Sequence, residues 1–205
     1  MPVRSARKSR RRRPKQRRAH QTVDAVLDAV VRVLKREGFG AVTTNRIAEV
    51  AGVSIGSVYQ YFPNKQAIFV ALHQRHMDQI DRMVETKLIH YAASPLDDLI
   101  RAMIEGMIEA HNTDPELYEL LATEVPHRAN GTHDFAVRLH GAFRLALSSR
   151  AHQLKRGHDL DNLVFVVTNM VESLSHAALF RRPPHLSLAA AKAEAVRAVL
   201  AYLHS

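Results

Sequence analysis

The 205-residue chain has no cysteine and no tryptophan. Without thiols, disulfides, thiolate nucleophiles, iron–sulfur ligation and thiolate zinc sites are excluded together, so any metal would have to be held by histidine and carboxylates. With only 8 Gly and 8 Pro, collagen-like repetition and pervasive low complexity are excluded too. No run approaches the roughly 20 consecutive apolar residues of a membrane-spanning helix, and no apolar segment marks the N-terminus for export. A soluble, cytoplasmic protein with no membrane partner is expected. Catalytic signatures are missing as well: there is no G-x-S-x-G, no Gly-rich phosphate loop and no H-E-x-x-H. No catalytic residue, cofactor or metal is therefore assigned. Thirteen histidines include His73 and His76 at i, i+3, but no further ligand at suitable spacing completes a metal set.

Acidic residues are missing from one place in particular. Residues 1–18 hold ten of the 29 Lys and Arg residues and no Asp or Glu, which leaves 19 basic against 20 acidic side chains in the rest. The formal charge of +9 thus resides in one tail. Met1, Val3 and Ala6 are its apolar residues, too few to offset ordering by burial, so residues 1–18 are expected to form a disordered basic arm. Three roles fit such an arm. It can be a solubilising tail, a polyanion-binding arm that gains from counterion release, or a weak contact to an anionic membrane surface.

Beyond the tail, apolar residues recur with helical period. Val23, Val26, Leu27, Val30, Val31 and Leu34 form one stripe of a helix that ends at Gly38. Thr44 suits an N-cap for a second helix to Ala51, and Gly52-Val53-Ser54 breaks the chain before a short third helix, Ile55 to Tyr61. A fourth runs from about Asn64 to Tyr91. Further helices are expected from Leu96 through Ile108, from Pro115 through Leu121, from about Phe135 to Leu154, from Leu163 to Phe180 and from Leu188 to Leu203. Residues 126–132 read as a loop. With no alternating strand pattern anywhere, the fold class is all-α with about nine helices.

Residues 44–61 carry the informative motif. Two helices crossing over a tight turn need a small residue at their contact, a glycine at the turn and a branched apolar residue facing back, and Ala48, Gly52 and Val58 supply these. The outward positions of the third helix, Ile55, Gly56, Ser57, Tyr59, Gln60 and Tyr61, combine small size with hydrogen-bonding groups, as a helix entering the DNA major groove requires. The run TTNRIAEVAGVSIGSVYQYFPNKQAIF resembles the DNA-binding signature of the TetR/AcrR family of bacterial transcriptional regulators. The resemblance is close over about residues 19–72 and extends to the rest through length and helix count.

The resemblance implies roles for individual positions. Thr44 and Ser54 cap helices whose N-termini face phosphates; Gly56 permits close approach to the groove; Tyr59, Gln60 and Tyr61 contact phosphates and bases. Ile55 and Ser57 face the groove, and Lys65 clamps a phosphate. Val58 and Phe62 belong to the core. Arg10, Arg11, Arg12, Arg13, Arg17 and Arg18 are candidates for an accessory backbone or minor-groove contact, which the family pattern does not require.

The implied organisation is the arm (1–18), a helix-turn-helix domain (19–65) and an effector-binding and dimerisation domain (66–205). The last two helices would join a homodimer, in keeping with the apolar circumference of Leu163–Phe180, where Phe165, Leu179 and Phe180 lie opposite the main stripe. The expected function is a ligand-responsive, sequence-specific DNA-binding regulator, a repressor acting on an inverted repeat. A non-specific nucleic-acid binder driven by the arm is the alternative. Met103, Met107, Tyr118, Phe143 and Met170 are apolar candidates for an effector pocket, and His111, His140, Asn169 and Glu172 its polar candidates; each also fits an ordinary core or surface position.

Overall fold

A computed structural model describes residues 9–125, 132–154 and 159–205. Among these, nine α-helices and two short 3-10 turns account for the regular structure, and there is no strand. The chain divides into two compact units, Met1–His73 with Glu116–Pro126, and Gln74–Pro115 with His127–Ser205.

In the first unit, α1 spans Ser9–Glu37. Of the arm expected to be disordered over 1–18, Ser9–Arg18 continue this helix, and residues 1–8 lie outside the described part. Arg, Lys and Gln are good helix formers, and once Val23–Leu34 supplies a stable helix, each added residue propagates without a new nucleus. Pro14 forgoes a hydrogen bond to the carbonyl of Arg10, and no acidic residue in the first turn offsets the dipole. Helix α1 stops at Gly38, whose φ of 80° suits glycine. A 3-10 turn, Phe39–Ala41, leads to α2 (Thr44–Ala51). The N-cap is Thr43 rather than Thr44: extended at φ −118°, it accepts a hydrogen bond from the Arg46 amide, and Thr44 is already helical. Gly52, at φ 68°, makes the left-handed turn to α3 (Ile55–Tyr61). Val26, Val30, Val33, Ile47, Ala48, Val58 and Phe62 are buried. Helix α4 (Lys65–His90) begins in this unit, with Asn64 accepting from the Ala67 amide as a cap, and α6 (Pro115–Glu124) clusters here as well.

The second unit contains the rest of α4 with α5 (Leu96–Asn112), α7 (Thr132–Ser148), α8 (Leu160–Phe180) and α9 (Leu188–His204). Its core begins at Met77 and leaves Ile68, Phe69 and Leu72 outside, so the division between the two compact units falls within α4. Helix α7 ends six residues before the expected Leu154. The chain turns so that buried Arg150 donates to the carbonyls of Tyr91, Ala92 and Ser94, while Gln153 Oε1 accepts from the Leu96 amide at 2.7 Å. These bonds satisfy groups that the ends of α4 and α5 would otherwise leave unpaired.

Helix α8 is long and apolar enough to cross a membrane, with a mean hydropathy of 1.5. No run of 20 apolar residues produces that average; Asn162, Asn169, Glu172 and His176 interrupt it. It packs against α5, α7 and α9, burying Leu163, Val164, Val167, Val171 and Ala178.

Candidate nucleic-acid interface

In the N-terminal unit, α3 divides by face. Val58 is fully buried and Phe62 follows it into the core, as the residue types suggested. Ile55 (38% exposed), Gly56, Tyr59 (52% exposed) and Gln60 point outward, with Ser57 and Tyr61 half-buried at the margin. Ser54 caps the helix, accepting from the Ser57 amide at 3.0 Å, and the two hydroxyls lie 2.8 Å apart. Thr44 Oγ1 is 3.4 Å from Tyr59 Oη, so the start of α2 and the middle of α3 present their hydroxyls together. Thr44 thus belongs to the surface by another route than capping.

Gly56 has no internal reason to be glycine. A Cβ there would meet Ser54 Oγ at 3.8 Å and nothing closer, and its φ is not positive.

Two interactions that sequence reasoning missed hold this surface in place. Arg46 forks onto Glu37 at 2.7–3.1 Å and reaches Glu49 at 2.6 Å, tying α2 to the end of α1. The Arg46 hydrogen bond holds the Glu37 carboxyl below its usual range. The i, i+3 spacing of Arg46 and Glu49 was a sequence signal; the approach of Glu37 was not. The Lys65 ammonium lies 5.5 Å from the Phe39 ring centroid and 5.4 Å from that of Phe69. Lys65 is thus held at the head of α4 by two aromatic faces.

Arg17 and Arg18 are exposed on α1. Arg10, Arg11, Arg12 and Arg13 lie in its first turns, and their side chains fall outside the described residues.

The residues proposed for an effector pocket separate. Met103, Met107 and Phe143 are in the packed core of the C-terminal unit, with Met170 against it. Asn169 and Glu172 are exposed on α8, opposite its buried stripe, and Asn169 donates to the Phe165 carbonyl at 2.7 Å. His140 is half-buried on α7, and Tyr118 belongs to the N-terminal unit. A cavity of about 510 Å³ lies in that N-terminal unit, lined by Leu34, Lys35, Arg36, Gly38, Phe39, Glu116 and Leu120, none of them expected.

His111 is buried and has other company. Its Nδ1 lies 2.7 Å from the Met107 carbonyl, its Nε2 is 3.2 Å from His176 Nε2, and its ring meets those of His76 and His176 edge to face. Burial lowers the pKa of His111 against the opposing effect of the Met107 bond. His176 is pushed down to about 4, first by burial and then by the positive fields of His111 and Arg181.

Comparison with known proteins finds two family models on the chain. Residues 26–72 match "Bacterial regulatory proteins, tetR family" and residues 95–203 match "Tetracyclin repressor-like, C-terminal domain". Among curated relatives, the Fatty acid metabolism regulator protein of Bacillus subtilis is 39% identical over 61 residues, 29% of this chain and 31% of that one. The HTH-type transcriptional repressor NicS of Pseudomonas putida is 28% identical over 110 residues, 54% and 51% of the two chains. The chain thus spans between about a third and a half of these relatives' lengths. Among solved structures, FadR of Bacillus subtilis in complex with stearoyl-CoA superposes with a TM-score of 0.66 at 18% identity, covering 88% of this chain and 98% of that one. The SmeT–triclosan complex gives 0.67 at 21% identity, covering 90% and 92%. At these identities the structures share the fold.

Proposed function

Since the chain belongs to the tetR family of bacterial regulatory proteins, we propose that it is a cytoplasmic, sequence-specific DNA-binding repressor that acts as a homodimer on an inverted repeat and is released by a small-molecule effector. The observation that carries this reading is the outward face of α3. It is a capped two-turn helix with one residue buried, presenting Ile55, Gly56, Tyr59 and Gln60 beside Thr44, with a glycine that the interior does not need. Short polar and small groups on a helix of this size suit base edges in the major groove, and the caps of α2 and α3 direct amides at phosphates. Lys65 and the basic N-terminal turns of α1 add charge for the backbone.

Dimerisation draws on the C-terminal unit. Phe165 (59% exposed) and Phe180 (37% exposed) reach the surface on α8, while α9 offers the small exposed residues Ala189, Ala193, Ala198 and Ala201 for close helix approach. Paired recognition helices read two half-sites, which one seven-residue helix cannot do. An effector of apolar character fits the methionine-rich core around Met103, Met107 and Met170, because thioether side chains repack readily. The stearoyl chain of the stearoyl-CoA and the triclosan bound in the two structural neighbours are of that character.

Selection of bound sequences from a random DNA pool at about 0.15 M salt tests the reading, with the intact chain and a version starting at Arg18. A shared inverted repeat from both is expected. Failure to enrich any sequence would overturn it in favour of binding driven by the arm alone.

A further inference from the structure

The cavity of about 510 Å³ in the N-terminal unit lies where the end of α1, the 3-10 turn and the start of α6 come together. The reading of the protein as a repressor places its effector in the C-terminal core and makes no use of this space. We propose that the cavity binds a small amphipathic organic anion, an apolar body carrying one carboxylate.

Size and lining agree with a small molecule. Ligand sites run from roughly 300 to 1,000 Å³ and combine apolar walls with a few polar groups that fix orientation. Leu34 from α1 and Leu120 from α6 supply buried apolar surface, and Phe39 adds an aromatic ring that stays 47% exposed. An apolar body packed on these three side chains withdraws that ring from water, which is favourable for so large a hydrophobic surface.

The charged groups select an anion. Lys35, Arg36 and Glu116 are exposed lining residues. Lys35 is already engaged within the chain, so the carboxylate is assigned to Arg36. Arg36 acts on neighbouring Glu37 through its field, whereas Arg46 holds that carboxylate by hydrogen bonds at 2.7–3.1 Å. Glu37 therefore neither occupies the Arg36 guanidinium nor repels an incoming anion at full strength. The planar guanidinium matches a carboxylate with two parallel bonds. A further cation stands close by, because the Lys65 ammonium lies 5.5 Å from the centroid of the same Phe39 ring. Arg36 and Lys65 together outweigh Glu116, so the balance favours negative charge.

The chain contains no tryptophan, so Phe39→Trp sets a single fluorophore on the cavity wall. The full-length variant is titrated with octanoate in the absence of DNA, with 1-octanol and octylammonium as neutral and cationic probes of equal length. Saturation at one octanoate per chain, with emission moving to the blue as the ring is covered, is the expected result, and octylammonium binds more weakly. Adding Arg36→Gln weakens octanoate about threefold to tenfold, as for a charge-assisted bond at an exposed rim, and leaves octanol unchanged; Glu116→Gln tightens octanoate. If Phe39→Trp fails to fold, calorimetric titration of the unaltered chain and of Arg36→Gln supplies the same comparison. No saturable binding, tighter binding of octylammonium than of octanoate, or octanoate binding indifferent to Arg36→Gln would each overturn the site. Octanoate held in the C-terminal core instead would leave the fluorophore silent and ignore Arg36→Gln. Because no DNA is present, any of these failures leaves the repressor reading standing, and absence of an operator leaves this site standing.

Discussion

Acid should weaken the C-terminal unit through His176, and the size of the effect follows from its surroundings. In the unfolded chain an imidazole titrates near 6.5, whereas in the fold burial and the positive fields of His111 and Arg181 hold His176 near 4. Above pH 6.5 both states are neutral and the group contributes nothing to pH dependence. As pH falls below 6.5, the unfolded chain takes up a proton that the folded one refuses, and stability drops until the folded state protonates near pH 4. Between pH 7 and 5 the difference amounts to about 2 kcal/mol, reduced to roughly 1–2 kcal/mol because the ring keeps partial contact with water. Urea unfolding followed by circular dichroism at the two pH values measures it. His176→Gln retains a polar partner for His111 and removes the titration. The wild-type chain should lose 1–2 kcal/mol more than the variant on acidification; equal losses would show that His176 is not held neutral by the fold.

The helix-turn-helix gives sharper contrasts. Thr43→Ala should cost about 1 kcal/mol of stability through loss of the α2 cap, whereas Thr44→Ala should leave melting unchanged and weaken operator binding; thermal melts and DNA titrations separate the two. Gly56→Ala should fold and melt like the parent, since the added methyl meets only Ser54 Oγ at 3.8 Å, yet lose at least about tenfold in affinity for the selected operator by gel shift. Gly52→Ala should lower stability by about 1–2 kcal/mol from backbone strain alone, because nothing lies within 4 Å of its Cβ position. Removal of residues 1–17 should flatten the dependence of log affinity on log salt for specific and random DNA alike; an unchanged slope would remove the basic turns from the interface.

Where apolar residues recur at helical spacing, the sequence already reveals the fold. The stripes Val23–Leu34 and Leu96–Ile108 mark α1 and α5, and Gly38 and Gly52 mark turns because their positive φ suits few other residues. Two adjacent threonines hid the true cap of α2, since either side chain can bond an amide and only the extended backbone at Thr43 decides. The end of α7 was hidden because its cause is distant: Arg150 and Gln153 leave the helix to serve the α4–α5 turn, more than fifty residues away in sequence. The face of α3 was legible because its contacts with the rest of the fold are local. Pocket candidates fared differently. Asn169 and Glu172 look inward only if the buried stripe of α8 is misplaced by one position, and the histidine cluster joins positions 35 and 65 residues apart, a distance at which sequence spacing carries no geometry.

The division of α3 into one buried residue and a largely free outer surface has a further consequence. Folding depends on Val58, with Phe62 just beyond the helix, and on the turn at Gly52, while the outward residues Ile55, Tyr59 and Gln60 remain exposed. If the proposed reading holds, exchanging Ile55 and Gln60 as a cassette should rewrite the preferred sequence while the melting temperature stays put. A protein so divided can acquire new target genes by drift at a few surface positions, and it offers an engineer a reading head that can be retuned without redesigning its scaffold.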